Sequence, residues 1–335
     1  MAKIRYRKKN FRGATLEVIA QANQICADYA RQGFDLTLRQ LYYQFVSKDL
    51  IKNNQAEYNK LGTIVNDARL AGMIDWKYIV DRTRNVRSLP HWNDPQHAIE
   101  DWTERWFAID LWEPQANHVE VWIEKDALVG VIEDVCHEYD VPFFSCRGYT
   151  SQSEMHGAAM RMMLKLDKGK QVHILHLGDH DPSGIDMTRD IEDRLHMFVG
   201  SHAYWGDLSA ATGKSDMSQW ANNAAPILWA RENVKVHRIA LTWEQIDEYS
   251  PPPNFAKLSD TRAQVYVDQF GDESWELDAL SPSVLNELVE TEILDLIEDD
   301  VWQESKEQQA DYKDTLALVS ERWDEVAEFV KGDRA

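Results

Sequence analysis

Cysteine is scarce in this 335-residue chain: only Cys26, Cys136 and Cys146, widely spaced, odd in number and in no metal-like pattern. That argues against a disulfide framework and for reduced thiols in a cytoplasmic protein. Long apolar runs are lacking, so no membrane-spanning helix and no membrane partner are expected. The basic opening "MAKIRYRKKNFRG" lacks the apolar core of a secretion signal. Internal repeats and low-complexity tracts are missing as well. The remainder has the composition of an ordinary globular protein, long enough for about two or three domains.

Positive charge is also in short supply, with a net charge of −21, which at first weighs against a nucleic-acid partner. The distribution changes that. Residues 1–94 hold 16 Lys/Arg against 9 Asp/Glu, so a basic first third precedes a strongly acidic body. Phosphate binding follows the local patch rather than the total. A solvated basic tail would give the same count.

Residues 14–32 carry apolar side chains at spacings of three and four and predict an amphipathic helix that stops at Gly33. Thr37 is a fair N-cap for "LRQLYYQFVSKDLI", a second helix. Residues 53–74 predict a third, ending near Gly72. "DWKYIVDRTRNVRS" (75–88) is more strand-like and holds three arginines. Helices followed by a basic ribbon suit a winged-helix DNA-binding module; a plain helical bundle has the same spacing. Residues 89–117, with several Trp and Pro toward both ends, predict a linker with one helix.

From residue 118 strands and helices alternate. "HVEVWIE", "VPFFSC", "QVHILHLG" and "VKVHRIAL" predict strands, with helices between them. This pattern implies a mainly parallel sheet covered by helices on both faces, with ligands at the carboxyl ends of the strands. Glu124, Arg147 and the pair Asp179/Asp181 stand at such ends. Residues 200–233, with their Gly, Ser, Ala and Asn, predict an irregular excursion. The last third predicts helices whose acidity reflects a solvated face.

Three clusters carry chemistry. In "HILHLGDHDPSGID" (173–186), two aspartates one residue apart close a buried strand, and Pro182-Ser183-Gly184 breaks it. With Glu124 from the adjacent strand they offer three hard oxygen donors, a set suited to magnesium. A divalent cation would relieve their repulsion. Asp181 or Ser183 acting only as a helix N-cap is the alternative. In "TLRQLYYQF", a tyrosine can attack a phosphodiester, and Arg39 lies four residues before Tyr43 on the same helix face. A tyrosine pair on such a helix also serves as ordinary core. In "SCRGYTS", Arg147 can grip a phosphate and Gly148 lets backbone approach one; an ordinary turn after a strand would look alike.

Taken in order, "TLRQLYYQF", "VWIEKDALVGVIED", "CRGYTS" and "HLGDHDPSGIDM" resemble the topoisomerase VI A subunit and its relative, the meiotic double-strand-break transesterase. Residues 236–266 resemble the segment that follows there, so the likeness runs from about residue 14 to about residue 280. The resemblance implies an α/β chain: a winged-helix-like domain (1–95), a linker (96–117), a Toprim domain (118–280) and an acidic helical C-terminal segment (281–335). It implies that Tyr43 is the nucleophile, with Arg39 as electrostatic helper. Tyr42, Arg147 and Gly148 would contact DNA, and Glu124, Asp179 and Asp181 would bind magnesium or manganese. It further implies a homodimer on double-stranded DNA, in which one subunit's tyrosine meets the other's metal site. A separate ATPase subunit serves as partner for strand passage in that family. Gln40 stands where the family usually has an acid, the acidic tail has no counterpart, and no ATPase is fused. The chain is most similar to stand-alone, shortened A-subunit relatives of bacteria and phages. Three activities are thus expected in turn: a tyrosine transesterase leaving a 5′-phosphotyrosyl link, a hydrolytic metal nuclease, or a DNA-binding protein that does not cut.

Overall fold

The computed structural model describes residues 5–80, 89–212, 225–255 and 263–332. The chain divides into two units, one drawn from 1–84 and 119–295, the other from 85–118 and 296–335.

The larger unit begins with three helices, α1 (Gly13–Arg31), α2 (Leu38–Ser47) and α3 (Gln55–Leu70). Thr37 starts α2 through a capping box. Its hydroxyl accepts from the Gln40 N–H at 3.2 Å, and the Gln40 side chain accepts from the Thr37 N–H at 2.8 Å. Gln40 is therefore used to start a helix. Ile19, Ile25, Leu41, Phe45, Leu61 and Val65 meet in one core between the three helices. The chain then returns beside α2. Residues Trp76–Tyr78 form a 3-10 turn rather than a strand, and Ile79 makes a single parallel bridge to Leu36. Arg82, Arg84 and Arg87 of the expected basic ribbon lie outside the described residues.

After α4 (Pro95–Arg105), which belongs to the smaller unit, strands and helices alternate as expected: β1 (Asn117–Ile123), α5 (Val129–Glu138), β2 (Phe143–Ser145), α6 (Gln152–Leu166), β3 (Gln171–Leu177), α7 (Pro182–Thr212), α8 (Ala225–Asn233) and β4 (Val234–Ala240). The four strands form one sheet in the order β2-β1-β3-β4, with β1–β2 and β3–β4 paired in parallel. β1 is buried from His118 to Ile123, as a strand covered on both faces must be. One face, with Trp122, Val172 and Ile174, packs on Met155, Met162, Ile191 and Leu195 of α6 and α7.

The excursion expected at 200–233 is instead largely helical. α7 continues to Thr212, α8 begins at Ala225, and 213–224 lie outside the described residues. Gly200 was misleading. A side chain there would come within 2.5 Å of the Pro226 carbonyl, so this glycine permits a close helix–helix approach and does not mark a loop.

The unit closes with α9 (Trp243–Tyr249), the short pair β5 (Asn254–Phe255) and β6 (Glu273–Ser274) around α10 (Ala263–Phe270), and α11 (Pro282–Leu294). α11 packs on α5 and β4 through Leu285, Val289 and Ile293. The smaller unit joins α4 to α12 (Asp299–Glu321) and α13 (Trp323–Gly332). Trp112 and Trp302 pack edge to face there, 5.6 Å between ring centres, and the Gln115 side chain ties to the backbone of Glu298. Among the described residues no helix is long and apolar enough to cross a membrane.

Candidate active site

The carboxyl ends of β1 and β3 bring the expected acids together. The Asp179 N–H donates to the Glu124 carboxylate at 2.8 Å. Asp181 accepts from the Gly184 N–H at 2.7 Å and so caps α7. Gly184 is required by close approach: a Cβ there would sit 2.1 Å from the Asp179 carbonyl oxygen. Burial, and then the neighbouring Asp179 and Asp181, push the Glu124 carboxyl up to about 7.

Two cations organise this turn, and neither was assigned a role from sequence. The half-buried Arg238 of β4 donates to the carbonyls of Gly178, Asp179, Gly184 and Leu241 and to the Thr188 hydroxyl. It thus pins the backbone on both sides of the Asp179–Asp181 pair. Burial, opposed by Glu124, Asp179 and Asp181, lowers its pKa to about 10, still charged at neutral pH. Lys125, directly after Glu124, reaches Asp179 at 2.9 Å, Glu276 at 3.0 Å and Asp278 at 2.6 Å. Burial opposes its charge, but these three carboxylates more than restore it and raise its pKa. Asp179 also accepts from the Leu277 N–H at 2.7 Å.

Tyr43 joins the same network. Its hydroxyl accepts from Arg39 at 3.5 Å and from Asn254 at 3.1 Å, and the Arg39 guanidinium lies 5.6 Å from its ring centre. Arg39 in turn grips Glu276 with two nitrogens, Nε at 3.0 Å and Nη2 closer still. A continuous chain of polar contacts therefore runs Tyr43–Arg39–Glu276–Lys125–Asp179. Tyr43 itself is only 2% exposed. Burial, then Glu276, push its phenol up to about 12.

Tyr42 points elsewhere. Its hydroxyl donates to Asn53 at 2.8 Å, and its ring packs against Tyr58. Arg147 and Gly148 both adopt positive φ, 51° and 85°. Arg147 is exposed and pairs with Asp126 at 3.0 Å, outside the polar chain just described.

The donors fit a divalent ion in chemistry and charge. Among the described residues, Glu124, Asp179, Asp181, Glu276 and Asp278 are accompanied by the cations Arg39, Lys125 and Arg238, which leaves an excess of negative charge when Glu124 is ionised. Their oxygens are not gathered on one point, and among the described residues no three acidic, His or Cys side chains form a metal-binding group. Asp179 and Asp181 are each already engaged, by Lys125 and by the α7 cap.

Glu276, Asp278 and Arg238 escaped the sequence reading. Arg39 and Glu276 are 237 positions apart, and nothing in "WELDAL" marks its acids as partners of either motif. "VHRIAL" is an ordinary strand by pattern, and its arginine gains meaning only beside the Asp179 turn. Comparisons of the chain with protein-family models, with curated proteins and with solved structures find no match in any of the three.

Proposed function

We propose that this chain is a DNA-binding and strand-breaking protein of the topoisomerase VI A type, acting by transesterification through Tyr43. In this reading the three helices with the Leu36–Ile79 bridge are a winged-helix-like module, and the parallel sheet with its acidic ends is a Toprim domain. The observation that carries it is the chain of contacts from the Tyr43 hydroxyl through Arg39, Glu276 and Lys125 to Asp179. Two motifs far apart in the sequence share one ionic network.

The chemistry follows from those positions. The Tyr43 oxygen bonds to phosphorus as its proton is lost to solvent, which returns one to the departing 3′ oxygen. The bond from phosphorus to the 3′ oxygen breaks, and that oxygen leaves as a hydroxyl. The products are a 5′-phosphotyrosyl link and a free 3′ end. Arg39 is placed to offset charge on the phenolate and on the phosphoryl oxygens. Glu124, Asp179 and Asp181 would hold magnesium or manganese, which supplies charge stabilisation at the phosphate when bound. A homodimer belongs to the same reading, and the network within one chain would have to open for the tyrosine of one copy to serve the acids of the other.

A hydrolytic nuclease is the second reading, favoured by the burial of Tyr43 and its firmly held proton. One plasmid assay with magnesium, quenched by denaturant, separates the two. Transesterification requires that Tyr43→Phe abolish covalent protein–DNA adducts and nicking together, and that Asp181→Asn do the same. Nicking that survives Tyr43→Phe but not Asp181→Asn would move the assignment to hydrolysis. Salt-sensitive DNA binding with intact plasmid in every case would leave a binding protein only.

A further inference from the structure

Two cations of this site close on one carboxylate. Arg39 holds Glu276 with a two-nitrogen grip, and Lys125 reaches the same carboxylate at 3.0 Å. The Tyr43 hydroxyl lies 3.5 Å from the same Nη2 nitrogen that holds Glu276. A guanidinium fork and an ammonium beside a nucleophilic oxygen are what a phosphodiester needs, and carboxylate and phosphate are gripped with the same fork geometry.

The backbone around Glu276 is fixed on both sides. Trp275 and His180 exchange two backbone hydrogen bonds, at 2.8 and 2.9 Å, and the Leu277 N–H is held by Asp179 at 2.7 Å. Only the Glu276 side chain is left to swing. Its surroundings are open enough for exchange, since the side chains of Arg39 and Glu276 are 43% and 26% exposed. Burial works against the Glu276 charge, but Lys125 and Arg39 outweigh it and lower the pKa, so the carboxylate is charged at neutral pH.

We propose that Glu276 is a built-in stand-in for the DNA phosphate, occupying a phosphodiester subsite made by Arg39 and Lys125 and masking it until DNA displaces the carboxylate. The subsite deepens the strand-breaking reading and rests on it for its substrate. Displacing Glu276 would free Arg39 for the phosphate beside Tyr43 and remove the negative charge that helps keep that phenol protonated.

The test is duplex DNA binding followed by fluorescence anisotropy in EDTA, across a salt series, for the wild type, Glu276→Gln and Glu276→Ala. Masking requires both variants to bind about tenfold tighter, with a salt slope steeper by about one, as expected when one further cation meets a phosphate. Adding Arg39→Ala to Glu276→Gln must cancel the gain. Unchanged or weaker binding in both variants would overturn the proposal, as would a gain that survives loss of Arg39. Thermal melting of each variant shows whether it folds, and either folded variant suffices. Adduct trapping is scored separately: tighter binding without any Tyr43 adduct keeps the masked subsite and removes the transesterification reading.

Discussion

Asp179 and His180 are neighbours in the chain and sit in opposite worlds. Asp179 lies in a pool of charge with Lys125, Glu276 and Asp278, where three carboxylates share one ammonium. His180 lies in an aromatic enclosure. Phe270, Tyr266, Trp243 and Trp275 surround it with ring centres 4.7 to 5.9 Å away, and its ring bonds the Tyr266 hydroxyl at 2.8 Å. The charged side offers groups that can exchange partners, as a phosphate or metal site requires. The aromatic side offers only packing, and it anchors the turn so that the charged side keeps its geometry. Rigidity and reactivity are thus divided between adjacent residues.

The contrast can be broken most severely on the charged side. Lys125→Met leaves Asp179, Glu276 and Asp278 facing one another without their shared cation. A loss of about 4 kcal/mol is expected in urea unfolding, the scale for removing one partner of a buried ionic cluster. A loss near zero would mean that the acids are held apart by other means.

The aromatic side is sharpened by pH. Burial, then the charge of Arg238, hold the His180 imidazole down to about 4, against 6.5 when unfolded. The unfolded chain therefore binds more protons between those values. This contribution to stability is whole above about pH 6.5 and is lost as the pH falls toward 4. By pH 5, His180 should account for a loss of about 2 kcal/mol. Unfolding curves at pH 7 and pH 5 should differ by that much less in His180→Gln than in the wild type. The buried His176, pushed down to about 3, adds a second loss of the same sign in both proteins.

The smallest effect is expected outside both regions. Arg147→Ala removes an exposed pair with Asp126 and should change stability by no more than about 0.5 kcal/mol. If Arg147 grips DNA, the same variant should lower the salt slope of binding by about one while leaving the melting temperature unchanged.

Much of the fold was legible before any coordinates. Periodicity placed the three first helices and the four strands, because each has one persistent apolar face or run to bury. Thr37 was readable as a cap because its partner Gln40 lies three positions away. Residues 75–80 misled because Trp, Tyr, Ile and Val favour strands, whereas only Ile79 finds a pairing partner, Leu36. Of the site, Tyr43 beside Arg39 was legible from helical spacing, and Glu124 beside Asp179 from strand ends. Tyr42, equally visible, turns to Asn53 and Tyr58 because adjacent positions on a helix point about 100° apart. Glu276 and Arg238 were illegible, since they act through space on motifs far from them in the chain.

Composition and spacing along the chain set which segments bury, where helices start, and which residues have the chemistry to hold a metal or attack a phosphate. Those properties are local, set by side-chain polarity and by spacing along one element. Folding was needed for Arg39 and Lys125 to share Glu276, for Arg238 to pin the Asp179 turn, and for Tyr43 to rest buried with its proton. Such pairings depend on which distant elements pack together, and Coulomb attraction of this strength operates over a few ångströms of space, whatever the separation along the chain.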